Sequence, residues 1–174
     1  MNVPETAQRA VAVLNEAGIP TLVAGALAVQ IHGYPRLTVD ANIIVPDITA
    51  AHHILIEHGY RPSIRVPIGV IDPKSKVRVD LLPGGNRLTP RCPVAFPMPT
   101  EKNHGYVSLP DLISIKLGSF LSSPARRARD RADVVELILR NKLTRELEGI
   151  DSAVQALYVE IWDAIEAEPE GPPS

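Results

Sequence analysis

The sequence has few aromatic residues, a single cysteine and no long apolar run. Only 4% of its 174 residues are aromatic, so its core must be built from aliphatic side chains. Because Cys92 stands alone, an intramolecular disulfide and a multi-cysteine zinc site are excluded. No apolar run approaches the roughly 20 residues that span a bilayer, and the first residues lack the pattern of a secretory signal. We therefore expect a cytoplasmic protein that makes no membrane contact.

The chain also lacks an excess of either charge. Its 18 Lys and Arg residues against 20 Asp and Glu residues give a net charge of −2, which disfavours a protein that coats nucleic acid through bulk charge. Hydrophobic residues, at 45%, and proline, with 17 residues, are abundant instead. This composition predicts a compact domain whose short elements are joined by rigid connections.

Hydrophobic periodicity and capping signals predict a mixture of helices and strands. The predicted helices cover residues 4–17, 26–31, 48–58, 108–118 and 123–141, and a last helix follows Asp151. The predicted strands cover residues 21–24 and 38–45 and a β-rich stretch over 60–82 with a turn at 73–76. Residues 83–105, rich in proline and glycine, are predicted to form a long ordered loop that could include one short strand. This pattern indicates an α/β core over residues 1–107, a helical part over 108–167 packed on it, and a flexible tail over 168–174.

Three polar side chains lie at alternating positions of predicted strands. Asp40 and Asn42 share one side of the first of these strands, and Asp80 lies on a later strand with a matching alternation. If the strands are neighbours, the three side chains converge on one face, where carboxylates could hold the Mg²⁺ that nucleotidyl transfer uses. Upstream, Gly25 and Ala26 separate a strand from a short helix, a place where backbone N–H groups bind phosphates. Taken singly, each acid is better explained as an edge or solvent-facing residue.

The order of these pieces resembles a known superfamily. The segments concerned are residues 23–28 (VAGALA), 32–42 (HGYPRLTVDAN), 79–82 (VDLL), 109–117 (LPDLISIKL) and 129–134 (RDRADV). Together they resemble the nucleotidyltransferase superfamily over roughly residues 8–140. The most similar members are the minimal bacterial and archaeal proteins, which include toxins of toxin–antitoxin pairs.

The resemblance implies a fold and an activity. The fold is α+β, a nucleotidyltransferase-like mixed β-sheet flanked by helices, with a helical C-terminal part. The activity is the Mg²⁺- or Mn²⁺-dependent transfer of NMP from an NTP to a hydroxyl of a small molecule, a tRNA end or a protein. The toxin-type members further imply an antitoxin as partner.

The resemblance also assigns roles to individual residues. Asp40, Asn42 and Asp80 stand at the catalytic, metal-binding positions, and Asp80 is also a candidate base. The nucleotide-binding positions are occupied by Gly25, Ala26, Arg36 and Lys116.

Two positions depart from the family pattern. Ala26 replaces the second residue of a Gly-Gly or Gly-Ser turn but keeps the backbone N–H groups. Asn42 replaces the second aspartate, so the protein's share of the metal site falls from three negative charges to two. Two hypotheses follow: an impaired nucleotidyltransferase, or a catalytically inactive module of the same fold that binds nucleotide or a protein partner. An engineered inactivating change at residue 42 is a third explanation.

Some basic residues have a structural explanation as well. Arg36 could bind phosphate or pair with Asp40, and a surface or loop-anchoring arginine explains it equally well. Lys116 is equally well explained as a solvated helix lysine. The basic run over residues 126–131 could line a groove for RNA or an acidic partner. Because Asp130 and Asp133 interleave with its arginines, a salt-bridged, solvated helix face explains the run better.

Overall fold

The structure is a computed structural model that describes residues 2–65 and 68–168; the predicted tail, from residue 169 on, lies outside the described residues. The helices are α1 (Val3–Glu16), α2 (Gly25–Ile31), α3 (Ile48–Glu57), α4 (Leu109–Ser122), α5 (Ala128–Asn141) and α6 (Gln155–Ala167). The strands are β1 (Leu22–Ala24), β2 (Asp40–Val45), β3 (Arg61–Pro62), β4 (Gly69–Ile71), β5 (Arg78–Pro83) and β6 (Gly105–Tyr106). Among these described elements, no helix has the length and apolarity of a membrane span.

The strands form one mixed sheet in the order β3-β4-β5-β2-β1-β6. β2 runs parallel to β5 on one side and antiparallel to β1 on the other. β6 extends the sheet as a parallel neighbour of β1, and β3 and β4 extend it as an antiparallel pair. This arrangement puts β2 and β5, whose alternation carries the predicted acids, side by side near the middle of the sheet.

Alternate residues of the central strands pack into two separate cores. On one face, β2 contributes Ala41, Ile43 and Val45 to a core shared with α1 and α3. On the other face, which we call the site face, Ile44 packs with residues of α4, α5 and α6, among them Leu112. Each fully buried valine, leucine or isoleucine side chain among them contributes about 1.5–3 kcal/mol relative to exposure. The helices of the C-terminal part therefore cover the face that also carries Asp40 and Asn42.

Local capping chemistry explains where several elements begin. The carboxylate of Asp47 accepts a hydrogen bond from the backbone N–H of Ala50 at 3.0 Å and caps α3, as the sequence predicts. The Ser108 hydroxyl accepts from the backbone N–H of Asp111 at 3.3 Å and caps α4, which also agrees with the prediction. At the turn before β5, the carbonyl of Asp72 accepts from the N–H of Lys76 at 3.0 Å. These three predicted boundaries are confirmed.

Three predicted boundaries are wrong by several residues. α4 continues past Gly118 and ends at Ser122. Gly118 does not stop the helix but lets the loop over residues 83–105 pack against it, since a Cβ at this position would lie 2.8 Å from the Val94 side chain. α5 begins at Ala128, not at residue 123, because the carbonyl of Ser123 accepts the N–H groups of two following residues in a turn. The last helix begins at Gln155, after a turn that follows Asp151.

Candidate functional site

The register of the central strands brings the predicted polar residues together. Asn42 lies opposite Asp80 across the β2–β5 ladder, and Asp40 lies opposite Arg78. Because residues paired in register point to the same side of a sheet, all four side chains lie on the site face. The other neighbour of β2 in the sheet is β1, in which Ala24 lies opposite Asn42. β2 begins two residues later than predicted, because the hydroxyl of Thr38 donates to the carbonyl of Asp40 at 2.9 Å.

The chain turns sharply from β1 into α2 next to Asn42. Gly25 has a φ of +64°, in the left-handed region that favours glycine. A Cβ at this position would lie 2.7 Å from the Nδ2 atom of Asn42. Gly25 therefore lets the backbone at the start of α2 approach the polar end of β2 closely.

A cavity of about 400 Å³ opens over the site face. Its lining includes every residue predicted for the site: Gly25, Ala26, Arg36, Asp40, Asn42, Asp80 and Lys116. Its apolar walls come from the sheet, the loop over 83–105 and α4: Leu82, Leu88, Val94, Phe96, Leu112 and Ile115. Such a volume, with apolar walls and a few convergent polar groups, is typical of small-molecule sites.

The floor of the cavity carries two carboxylates and one guanidinium. Arg78 Nε lies 2.6 Å from Asp80 Oδ1, and both side chains are largely buried. Burial raises the pKa of Asp80, Arg78 lowers it and Asp40 raises it again, with a net value of about 6. Within the described part of the chain, Asp80 Oδ1 accepts no well-aligned hydrogen bond. The floor therefore carries one more carboxylate than guanidinium.

The wall formed by α4 and α5 carries a buried ion network. Lys116 Nζ lies 2.8 Å from Asp130 Oδ1 and 2.8 Å from Asp133 Oδ2. The same Asp133 oxygen pairs with Arg36 Nη1, and Asp130 Oδ2 accepts from the Ser119 hydroxyl at 2.8 Å. One carboxylate thus joins the two cations predicted to bind nucleotide, although they come from distant parts of the chain.

This network corrects three interpretations of the basic residues. Lys116 is 6% exposed, so a solvated helix lysine is wrong. The carboxylate that pairs with Arg36 is Asp133, not Asp40. The salt bridges expected on the helix face over residues 126–131 are not formed in the described part of the chain, because Asp130 and Asp133 point inward and bind other cations. Arg126, Arg127 and Arg129 of that face are exposed, as expected.

Sequence reasoning assigned no role to several charged residues of this site. Arg78 could have been found, because it shares the alternation of Asp80 on the same strand. Asp130 and Asp133 are three residues apart and so share one face of α5, but their spacing does not show what that face meets. Arg127, which lines the cavity, belonged to a run interpreted as a solvated surface.

Comparison with known proteins identifies the fold. No protein-family model matches the chain, and no curated protein matches it. The solution structure of the antibiotic-resistance factor ANT(2'')-Ia is similar with a TM-score of 0.52 and 13% identity, over 91% of this chain and 92% of that chain. The crystal structure of ANT(2")-Ia in complex with adenylyl-2"-tobramycin has a TM-score of 0.50 and 12% identity, over 92% and 96%. The chain therefore has an α+β, nucleotidyltransferase-like fold.

Proposed function

We propose that this protein binds an NTP with Mg²⁺ or Mn²⁺ in the cavity and transfers NMP to a hydroxyl acceptor. The observation that carries the proposal is the floor of the cavity: in a nucleotidyltransferase-like fold, Asp40 and Asp80 face one cavity from adjacent central strands. The turn at Gly25 and the cations of Arg36 and Lys116 line the same space. A triphosphate would thus meet carboxylates for its cation and positive groups for its oxygens.

The donor set fits a metal ion that is bound jointly with substrate phosphates. Among the described residues, no group of three or more His, Cys, Asp and Glu side chains is arranged to hold a metal ion. Two carboxylates remain, and the Asp80 oxygen that lies 2.6 Å from Arg78 Nε accepts no aligned hydrogen bond within the described part of the chain. Mg²⁺ is commonly held by one or two carboxylates together with substrate phosphates and water. We therefore expect Asp40 and Asp80 to hold the ion once the NTP is present, with Asn42 as a neutral neighbour.

The chain's own residues then position the reactants. Bound Mg²⁺ would neutralise phosphate charge. Arg36 and Lys116 orient the triphosphate, and the apolar walls hold the nucleoside and exclude water. The acceptor oxygen forms a bond to the α-phosphorus, the bond to the β-phosphate oxygen breaks and pyrophosphate leaves. Asp80 is placed to take the proton of the acceptor hydroxyl.

A second candidate is a catalytically inactive module that binds nucleotide or a protein partner. Two observations favour it: Asn42 replaces a charged ligand, and Arg78 already supplies a cation to Asp80. When a metal-holding charge is lost, the rate of transfer falls tenfold for each 1.36 kcal/mol of transition-state stabilisation that is lost with it. The resemblance to toxin-type members, an antitoxin partner and a cytoplasmic location stay predictions, and co-purification with a neighbouring gene product tests the partner.

Asn42→Asp separates the two candidates. The two side chains have nearly the same shape, so the contact with Gly25 is kept while a third carboxylate is added opposite Asp80. Like charges directly opposite on neighbouring strands destabilise a sheet, so we expect the variant to unfold at a lower temperature in EDTA. We expect Mg²⁺ with NTP to restore that loss and to increase turnover above a measurable wild-type baseline. An undetectable baseline that the variant does not rescue supports the inactive module.

A further inference from the structure

The two chain segments that form the outer part of the cavity contain no acidic residue. Segments 83–100 and 112–129 hold six lysines and arginines and neither aspartate nor glutamate, although the chain has 20 acidic residues. Since the whole chain has a net charge of −2, the rest of it carries −8. The near-neutral total therefore conceals an uneven distribution of charge along the sequence.

These segments meet at the cavity. Leu88, Thr89 and Cys92 of the first segment and Arg127 of the second line it. The close approach of Gly118 to the Val94 side chain packs the first segment against α4. Each basic residue of the two segments therefore lines the cavity or is next in sequence to a residue that does.

The arginines of these two segments are exposed to solvent. The exposed ones are Arg87, Arg91, Arg126, Arg127 and Arg129. The acids nearest to the second group in sequence, Asp130 and Asp133, are buried and bind Lys116 and Arg36. Within residues 2–65 and 68–168, no carboxylate forms an ion pair with any of the exposed arginines. Their charges are thus available to a ligand.

We infer that the hydroxyl acceptor is the 3′ end of a single-stranded polynucleotide. The inference rests on the proposed nucleotidyl transfer and narrows its acceptor. A small anion inside the cavity would meet Arg127 alone among these arginines, whereas a strand leaving the opening places successive phosphates beside the rest. A polyamine such as tobramycin would be repelled by the same charges. In the reaction the terminal 3′ oxygen bonds to the α-phosphorus of the NTP, pyrophosphate leaves, and the hydroxyl proton passes to a carboxylate of the site.

Binding is tested with a 12-nucleotide single-stranded RNA and the DNA of the same sequence, each labelled at its 5′ end. Fluorescence anisotropy is measured from about 25 to about 200 mM salt, a range of about one decade that is wide enough to resolve the slope of log K against log salt. Each phosphate contact contributes about −0.7 to the slope of log K against log salt for a single strand. The variant Arg126→Gln/Arg129→Gln should make the slope less negative by about 1.4. The matched variant Arg61→Gln/Arg65→Gln changes exposed arginines on and beside the distant edge strand β3 and should leave it unchanged.

Transfer is tested with α-³²P-labelled NTP and Mg²⁺ on the same oligonucleotides. We expect a product one nucleotide longer from a 3′-hydroxyl end and none from a 3′-phosphate end; the comparison of RNA with DNA identifies the strand. Label on tobramycin or on protein in place of the oligonucleotide overturns the inference. So does equal salt dependence in the two double variants, which would assign the arginines to a small anion or a protein partner. An NTP-induced thermal shift without oligonucleotide binding refutes this inference alone. The absence of any NTP-induced shift refutes the proposed function on which the inference rests.

Discussion

The buried network around Asp133 should contribute strongly to stability. One oxygen of this carboxylate bridges Lys116 and Arg36, and the side chain of Asp133 is only 3% exposed. The substitution Asp133→Asn keeps the shape of the side chain but removes the charge that holds two cations together. Lys116 would retain Asp130, while Arg36 would lose the one carboxylate with which it pairs in the described residues.

The expected cost follows from the burial of these groups. Removing one partner of a buried ion pair costs about 3–5 kcal/mol, because the other charge stays buried without compensation. Since Lys116 keeps Asp130 and Arg36 is partly exposed, we expect the lower end, about 3 kcal/mol. For a chain of this size, that loss lowers the Tm by about 6–12 °C.

The measurement is urea unfolding at neutral pH followed by circular dichroism. The control is Glu136→Gln on the same helix, whose partner Arg140 lies 3.2 Å away on the exposed face. Such surface pairs contribute about 0.3–0.5 kcal/mol. If Asp133→Asn lowers the free energy of unfolding by no more than Glu136→Gln does, the network does not anchor α4, α5 and the segment that carries Arg36.

Two further perturbations address other parts of the fold. Burial alone would raise the pKa of Asp72, but hydrogen bonds from Ser75 and Arg9 outweigh it and lower the value to about 2. Because the folded pKa lies below the unfolded pKa of about 3.9, this carboxylate stabilises the fold by about 2 kcal/mol above pH 5, and the stabilisation is lost as the pH falls towards 2. The free energies of urea unfolding of wild type and Asp72→Asn should therefore differ at pH 6 and converge at pH 2. A difference that does not change with pH would contradict this. Gly25→Ala should cost more than the about 1–2 kcal/mol of left-handed strain expected for Gly18→Ala, since a Cβ meets Asn42 only at Gly25, and thermal unfolding giving equal losses would contradict the close contact.

The sequence was sufficient to predict which side of its strand each polar residue of the floor takes. Period-two alternation puts Asp40 and Asn42 on one side of a strand and Asp80 on the matching side of another. The parallel pairing of β2 with β5 then brings them together. Local pattern gives the side that each residue takes, because side-chain direction alternates along a strand, whereas the pairing of the two strands is known only from the structure.

The wall of the site could not be predicted in the same way. Whether Lys116 is solvated or buried depends on how α4 packs against α5, and no local sequence pattern predicts that packing. The same holds for Asp130 and Asp133, which look like surface partners of the neighbouring arginines until the two helices are placed together. The helix start at Ala128 was missed because the chain first makes a separate turn at Ser123.

The proposed site is tested most directly by NTP-induced stabilisation with and without Mg²⁺ in wild type, Asp40→Asn and Glu57→Gln. Asp40 is a proposed ligand on the cavity floor, and Glu57 is an exposed carboxylate of α3 that serves as the control. At a hundredfold excess over Kd, ligand binding stabilises the folded state by about 2.7 kcal/mol. We expect a Mg²⁺-dependent rise in Tm for wild type and Glu57→Gln that Asp40→Asn abolishes. No rise in wild type, or the same rise in Asp40→Asn, would contradict a nucleotide and metal site at this floor.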